Sequence, residues 1–176
     1  MELEYYLNKQ DYIDFNIYHV NHSDIIKKSL LIQRYFIPII FMIVPFLIAG
    51  VTDLPLLYWI CVFIVISVVW IVFYPKYFVW AFSKRVSKMV DEGKNKDLLG
   101  KHRVTVNEEG VLEQSENGEN KISWSGVEKI VSSNQHIFIY IGSISACIIP
   151  KRAFKTNADM ELFHEYISKY ITGKRD

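Results

Sequence analysis

Two apolar runs, Tyr35–Val51 and Leu54–Tyr74, are separated only by Thr52-Asp53. From Tyr35 to Tyr74 there is no Lys or Arg, and Asp53 at the joint is the single carboxylate. A bilayer's hydrocarbon core is about 30 Å thick and an α-helix rises about 1.5 Å per residue, so about 20 residues cross it. The second run reaches that length unaided, and the first does so once Leu30–Ile32 is added. The pattern predicts a transmembrane helical hairpin over residues 24–74 with a very short turn. Pro38 and Pro45 lie in the first run. Each removes a backbone hydrogen bond, which membrane helices tolerate when neighbours re-satisfy the freed group, so a bent first helix is expected.

Positive charge sets the orientation. Lys27, Lys28 and Arg34 precede the hairpin, Lys76, Lys84, Arg85 and Lys88 follow it, and Thr52–Pro55 carries none. Cationic flanks stay cytoplasmic, so both termini are expected on that side of a multi-pass, two-helix protein. Tyr35, Phe36, Tyr58, Trp59, Tyr74, Tyr77 and Trp80 fall where aromatic belts are expected. Lys27, Lys28, Arg34, Lys84, Arg85 and Lys88 are the candidate contacts for anionic lipid head groups, each contributing on the order of 1 kcal/mol.

The formal net charge of +1 gives no electrostatic footprint for nucleic acid. Cys61 lies in the second membrane run and Cys147 in a predicted strand, so a disulfide between them is not expected. Residues 1–22 lack the apolar core of a signal peptide, which leaves the hairpin as the targeting element.

Outside the hairpin the chain is long enough for one small soluble domain. Residues 1–23 read as a strand (Glu2–Leu7) and a helix with Tyr12, Phe15, Tyr18 and His19 on one face. Asn8 is its candidate cap, and Asp11 suits the positive end. Residues 75–100 read as an amphipathic juxtamembrane helix, with Phe78, Phe82, Val86 and Val90 at four-residue steps. A linker over Gly93–Gly100 follows. From Lys101 the period changes to two. Short strands are predicted at 102–107, 111–115, 121–125, 127–131, 136–141 and 144–149, with turns at Glu108-Glu109-Gly110 and Asn117-Gly118. Trp124 is expected to point into the sheet. Thr156 with Asp159 starts a last helix whose stripe is Met160, Phe163, Ile167 and Tyr170/Ile171, closed by Gly173. The expected fold class is an α+β membrane protein. It combines a two-helix hairpin with a small antiparallel β-meander or barrel, capped by the C-terminal helix, over 101–176. That is the shape of a pleckstrin-homology-like (PH-like) domain, although other α+β folds share the element order.

Ile122-Ser123-Trp124-Ser125 and Ile149-Pro150-Lys151-Arg152-Ala153-Phe154, set in this order of elements, resemble the YcxB-like family of bacterial membrane proteins. The resemblance implies a PH-like cytoplasmic domain, with the hairpin inserted between its first and second strands, and residence in the bacterial cytoplasmic (inner) membrane. It implies no established enzymatic activity and brings no ligand-binding residues. Some small bacterial membrane proteins with similar domains act as self-immunity factors, an analogy of fold alone.

The chemistry-bearing residues point the same way. His19 and His22 are three apart and Asp24 follows, but no thiol or acidic cluster accompanies them, so no metal is expected. His102, His136 and His164 are scattered, and partly exposed, isolated side chains are expected there. No nucleophile elbow, phosphate-cradling glycine loop or paired carboxylate appears, so no enzyme and no cofactor are expected. The expected function is a membrane-anchored binding or scaffolding module in a stress or self-immunity setting. It would meet membrane lipids and a protein partner, with Lys151 and Arg152 as the candidate partner contacts. Two other classes are an accessory subunit of a transporter or channel and, less favoured, an enzyme.

Overall fold

In the computed structural model, strand β1 (Glu2–Leu7) pairs antiparallel with β2 (Gly100–Val106), Tyr5 opposite His102 and Leu7 opposite Gly100. The first strand of the chain thus joins the sheet that resumes after the apolar helices. Residues 1–92, 98–116 and 118–172 are described, without the side chains of 171 and 172. The first part of the predicted 93–100 linker, Asn117 of the predicted turn, the Ile171 side chain and the Gly173 stop lie outside the described residues.

The chain divides into two compact units, Met1–Asn16 with Val86–Asp176, and Ile17–Arg85. The order of elements is β1, α1 (Lys9–His22), α2 (Asp24–Phe41), α3 (Val44–Ile48), α4 (Leu56–Asp91), β2, β3 (Gly110–Ser115), β4 (Gly118–Ser123), β5 (Lys129–Ser132), β6 (His136–Tyr140), β7 (Ala146–Pro150) and α5 (Asn157–Thr172). This is an α+β chain with two long apolar helices and antiparallel sheets.

The helical unit holds two segments long and apolar enough to cross a membrane, Asp24–Ile48 and Leu56–Asp91. The first is broken between α2 and α3 at Met42-Ile43. Pro45, early in α3, has no N–H to offer the preceding turn, which is the local reason for the break. Pro38 sits inside α2 without ending it. The predicted juxtamembrane helix is not a separate element: α4 runs unbroken through Pro75 to Asp91. Few side chains here are buried, Ser67 and Tyr74 among them, while Leu47, Val51, Leu57, Val65 and Phe73 stand exposed. Arg34 Nε donates to the Ile71 carbonyl at 2.9 Å, and the Tyr74 hydroxyl donates to Gln33 Oε1. Phe41 meets Trp70 edge-on at 5.9 Å.

In the other unit the strands form two sheets, β1-β2-β3-β4 and β5-β6-β7, and neither closes on itself. Alternation in β2 and β3 turns Val104, Val106 and Val111 inward, and Ile122 of β4 lies opposite Val111. Every residue of β6 is buried, on both faces, so its alternating isoleucines do not mark a solvated side. Phe15 of α1 packs its ring 5.3 Å from Phe138 and 5.8 Å from Tyr140. Phe163 and Ile167 of α5, and Val86 and Val90 at the end of α4, are buried. Fully burying such a side chain is worth roughly 1.5–3 kcal/mol.

The Ser-Trp-Ser step leaves the strand pattern. Trp124–Gly126 is a 3-10 turn, where the Trp124 indole N–H donates to the Asn107 carbonyl at 3.0 Å and its ring stacks on Tyr170. Asn107 Oδ1 accepts the N–H groups of Glu109 and Gly110 in the β2–β3 turn. Gly110 has φ +151°, and a Cβ there would overlap the Ile122 carbonyl oxygen.

Candidate functional site

Inward positions of the first sheet are apolar at one end and polar at the other. Val111 is followed in phase by Glu113 and Ser115 on β3, and Ile122 is preceded in phase by Asn120 and Gly118 on β4. His102 of β2 lies opposite Ser115. A half-buried strand normally keeps apolar residues at these positions, and local departures from that pattern concentrate at functional sites. Here they line a cavity of about 350 Å³ whose other walls are Leu7, Tyr12, Leu98, Ala146 and Ile148.

His102 is 7% exposed, and neither ring nitrogen has a hydrogen-bond partner. Glu113 Oε1 is 3.3 Å from Nδ1, close enough for charge to matter but out of line for a hydrogen bond. Tyr5 stacks on the imidazole with centroids 5.9 Å apart and planes 11° from parallel. Behind it the Tyr5 hydroxyl lies 4.0 Å from Cys147 Sγ. Burial, reinforced by the neighbouring Glu113 carboxylate, pushes the Cys147 thiol well up, and burial pushes the Tyr5 hydroxyl up as well. Both therefore stay neutral beside Glu113.

A second cluster joins α1 to the end of β7. Asp11, 2% exposed, accepts from Arg152 Nη1 at 2.7 Å and Nη2 at 2.5 Å. His136 Nε2, also 2% exposed, lies 2.8 Å from Asp11 Oδ1. The Asn8 N–H donates to Asp11 Oδ2 and the Asp11 N–H donates to Asn8 Oδ1, a reciprocal cap on α1. Burial alone would raise the Asp11 carboxyl. The hydrogen bonds from Arg152, His136 and Asn8, with the Arg152 charge, outweigh that and hold it below the usual carboxylate range.

This corrects the expectation of isolated, partly exposed histidines. His102 and His136 are both buried because each faces a carboxylate from another element. Only His164 is exposed, with Nδ1 3.4 Å from Ser168 Oγ. The Arg152 fork is taken up by Asp11 and the Tyr6 carbonyl. Lys151 instead borders a hollow of about 600 Å³ with Lys155, Asn157 and Met160 at the start of α5. His22 Nδ1 lies 2.8 Å from the Tyr18 carbonyl, and its ring stacks on Tyr18.

The basic residues beside the apolar helices have separate settings. Lys27 and Arg34 line a groove of about 320 Å³ with Leu30, Leu31, Tyr74 and Pro75. Arg34 lies over the Tyr35 ring at 5.5 Å and Lys84 over Trp80 at 5.3 Å. Lys88 pairs with Glu92 at 3.8 Å on α4. Lys28 on α2 and Arg85 on α4 are exposed.

The cavity under His102 and the Asp11 cluster were not assembled by sequence reasoning. One signal was there: Glu113 and Ser115 share the phase of Val111, so a carboxylate and a hydroxyl occupy positions where an inward face should continue.

No curated protein and no solved structure matches the chain. Residues 106–167, from the end of β2 into α5, match the family model of YcxB-like proteins.

Proposed function

We propose that this chain is an integral protein of the bacterial cytoplasmic membrane whose α+β unit is a cytoplasmic binding module. The observation that carries the reading is the union, in one chain, of two outward-exposed apolar helices with a folded unit that keeps an open polar cavity in its sheet. Exposed apolar belts of this length are costly in water and at home in hydrocarbon. Lys27, Lys28 and Arg34 in the first part of α2 and Lys84, Arg85 and Lys88 in the last part of α4 support a topology with both ends cytoplasmic. The groove holding Lys27 and Arg34 suits an anionic lipid head group, with Leu30 and Leu31 against its acyl chains.

A PH-like arrangement for the soluble unit is supported by four strands in one sheet, three in the other, and a C-terminal helix with Phe163 and Ile167 buried. Lys151 and Lys155, which border one hollow, are the cations offered to an acidic partner segment in a stress or self-immunity role. The test is affinity purification of the full chain from crosslinked native membranes, wild type against Lys151→Glu/Lys155→Glu. One protein enriched with the wild type and lost with the variant supports the module. Recovery of the chain in the soluble fraction after cell breakage would overturn the membrane reading.

A further inference from the structure

We propose that the cavity bounded by His102, Glu113, Ser115 and Asn120 is a binding site for a small primary alkylammonium ion. This rests on the binding-module reading and deepens it. Charge selects the ligand first. Among the described lining residues there are two carboxylates, Glu113 inside and Glu119 at the rim, and no Lys or Arg. Cys147 and Tyr5 are neutral, so neither competes for a cation nor repels one. Glu119 accepts from Gln114 Nε2 at 3.3 Å, and that pair alternates with Glu113 and Asn120 along the two strands.

Hydrogen bonding selects next. An ammonium group has three donors and no acceptor. The polar end of the cavity is lined by Glu113, Ser115, Asn120 and the imidazole of His102. His102 is more than nine-tenths buried and unpartnered at both nitrogens, which is expensive unless something visits it. A cation's N–H bond to Glu113 would neutralise the carboxylate, and a second one to His102 would partner one of its two orphaned ring nitrogens.

Shape selects last. Leu7, Leu98, Ala146 and Ile148 form the apolar wall, and about 350 Å³ is at the small end of ligand pockets. A short hydrocarbon stem fits that wall and a large ligand does not. An anion meets the Glu113 carboxylate, and a neutral alcohol of the same size brings it no counter-charge.

The experiment is calorimetric titration of the full chain in lipid nanodiscs with n-butylammonium chloride, with 1-butanol and sodium butyrate as matched probes. Saturable binding of n-butylammonium, at least tenfold tighter than 1-butanol and with no butyrate binding, is expected. Glu113→Gln, checked for an unchanged melting temperature, is expected to weaken n-butylammonium at least tenfold. Ser115→Trp, which fills the cavity, is expected to abolish it. Equal binding of 1-butanol, or unchanged binding by a folded Glu113→Gln chain, overturns the proposal. So does a wild-type chain that binds none of the probes. If the chain still sits in the membrane and captures its partner while n-butylammonium fails, the ligand assignment falls and the binding-module reading stands.

Discussion

Asp11 and Arg152 are 141 positions apart in the chain and meet through a two-pronged ion pair, Nη1 to Oδ1 at 2.7 Å and Nη2 to Oδ2 at 2.5 Å. The carboxylate is 2% exposed while the Arg152 side chain remains 51% exposed. The pair fixes the start of α1 to the 3-10 turn after β7, within one folded unit. Removing the guanidinium leaves a buried carboxylate with His136 and the Asn8 N–H as its partners. Breaking a buried pair on one side costs about 3–5 kcal/mol, and the exposure of Arg152 puts Arg152→Ala toward the lower figure. Thermal unfolding of the full chain in nanodiscs should show the loss. An Arg152→Ala chain as stable as wild type would remove the pair from the account of the fold.

The same cluster gives a pH dependence with a definite sign. The Asp11 carboxyl is held below its usual range in the folded chain, so the folded state binds its proton less readily than the unfolded state does. Its contribution is complete above the unfolded carboxylate range, near pH 4, and is lost as pH falls through the lower folded value. Wild type should therefore lose stability on acidification more steeply than Asp11→Asn. Parallel stability profiles for the two chains between neutral pH and pH 3 would contradict this.

The two long apolar helices were legible in the sequence because such a run is a one-dimensional signal: a stretch without charge, bounded by cations. The break at Met42-Ile43 was not placed, since proline announces a perturbation but not whether the helix continues, as through Pro38, or stops, as before Pro45. Strands β2, β3 and β6 and helix α5 lie close to their predicted bounds. The burial of both faces of β6 did not follow, because alternation reads as one solvated face until Phe15 is seen on Phe138. Asp11 was read as a helix-terminus acid, which it is. Its pairing with His136 and Arg152 is non-local and leaves no mark in spacing. The same holds for His102 and Glu113, which become neighbours only through the β2–β3 register.

Gly110 makes a test of the β3–β4 register. Its φ of +151° disfavours a side chain, and a Cβ would overlap the Ile122 carbonyl oxygen. The obstructing atom is backbone, so no rotamer change relieves it. Gly110→Ala should cost at least about 2 kcal/mol, the upper part of the overpacking range. Because Glu113 and Asn120 share that register, the variant should also weaken n-butylammonium binding. A wild-type melting temperature for Gly110→Ala would mean that β3 and β4 are not paired in the register described.

Phe163 reports on the helix that covers the sheets. It is fully buried, with its ring 5.3 Å from Phe154. Phe163→Ala removes a large side chain and leaves a cavity, for about 3–5 kcal/mol. Leu162, its neighbour on α5, is exposed, and Leu162→Ala should fall within about 0.5 kcal/mol of wild type. Similar losses for the two would show that α5 is docked by another face. The comparison needs only two melts, and the control shares the helix, its propensity and its capping box of Thr156 and Asp159.

Topology can be read at Asp53, between the two apolar helices and exposed. If Lys27, Lys28, Arg34, Lys84, Arg85 and Lys88 hold both ends on the cytoplasmic side, the 52–55 turn faces outward. Asp53→Cys in a Cys61→Ala background places a thiol there, while Cys147 is buried in the sheet. A membrane-impermeant maleimide should label this chain on intact spheroplasts, with no gain on permeabilisation. Labelling only after permeabilisation would invert the hairpin. Introducing two lysines into the same chain, as Thr52→Lys and Leu54→Lys, sets the turn against its flanks. Since only a two-cation bias is added against six, the labelling pattern should hold. A reversal by so small a change would mean that the flanking cations do not set the orientation, and would leave them free for another role at the membrane surface.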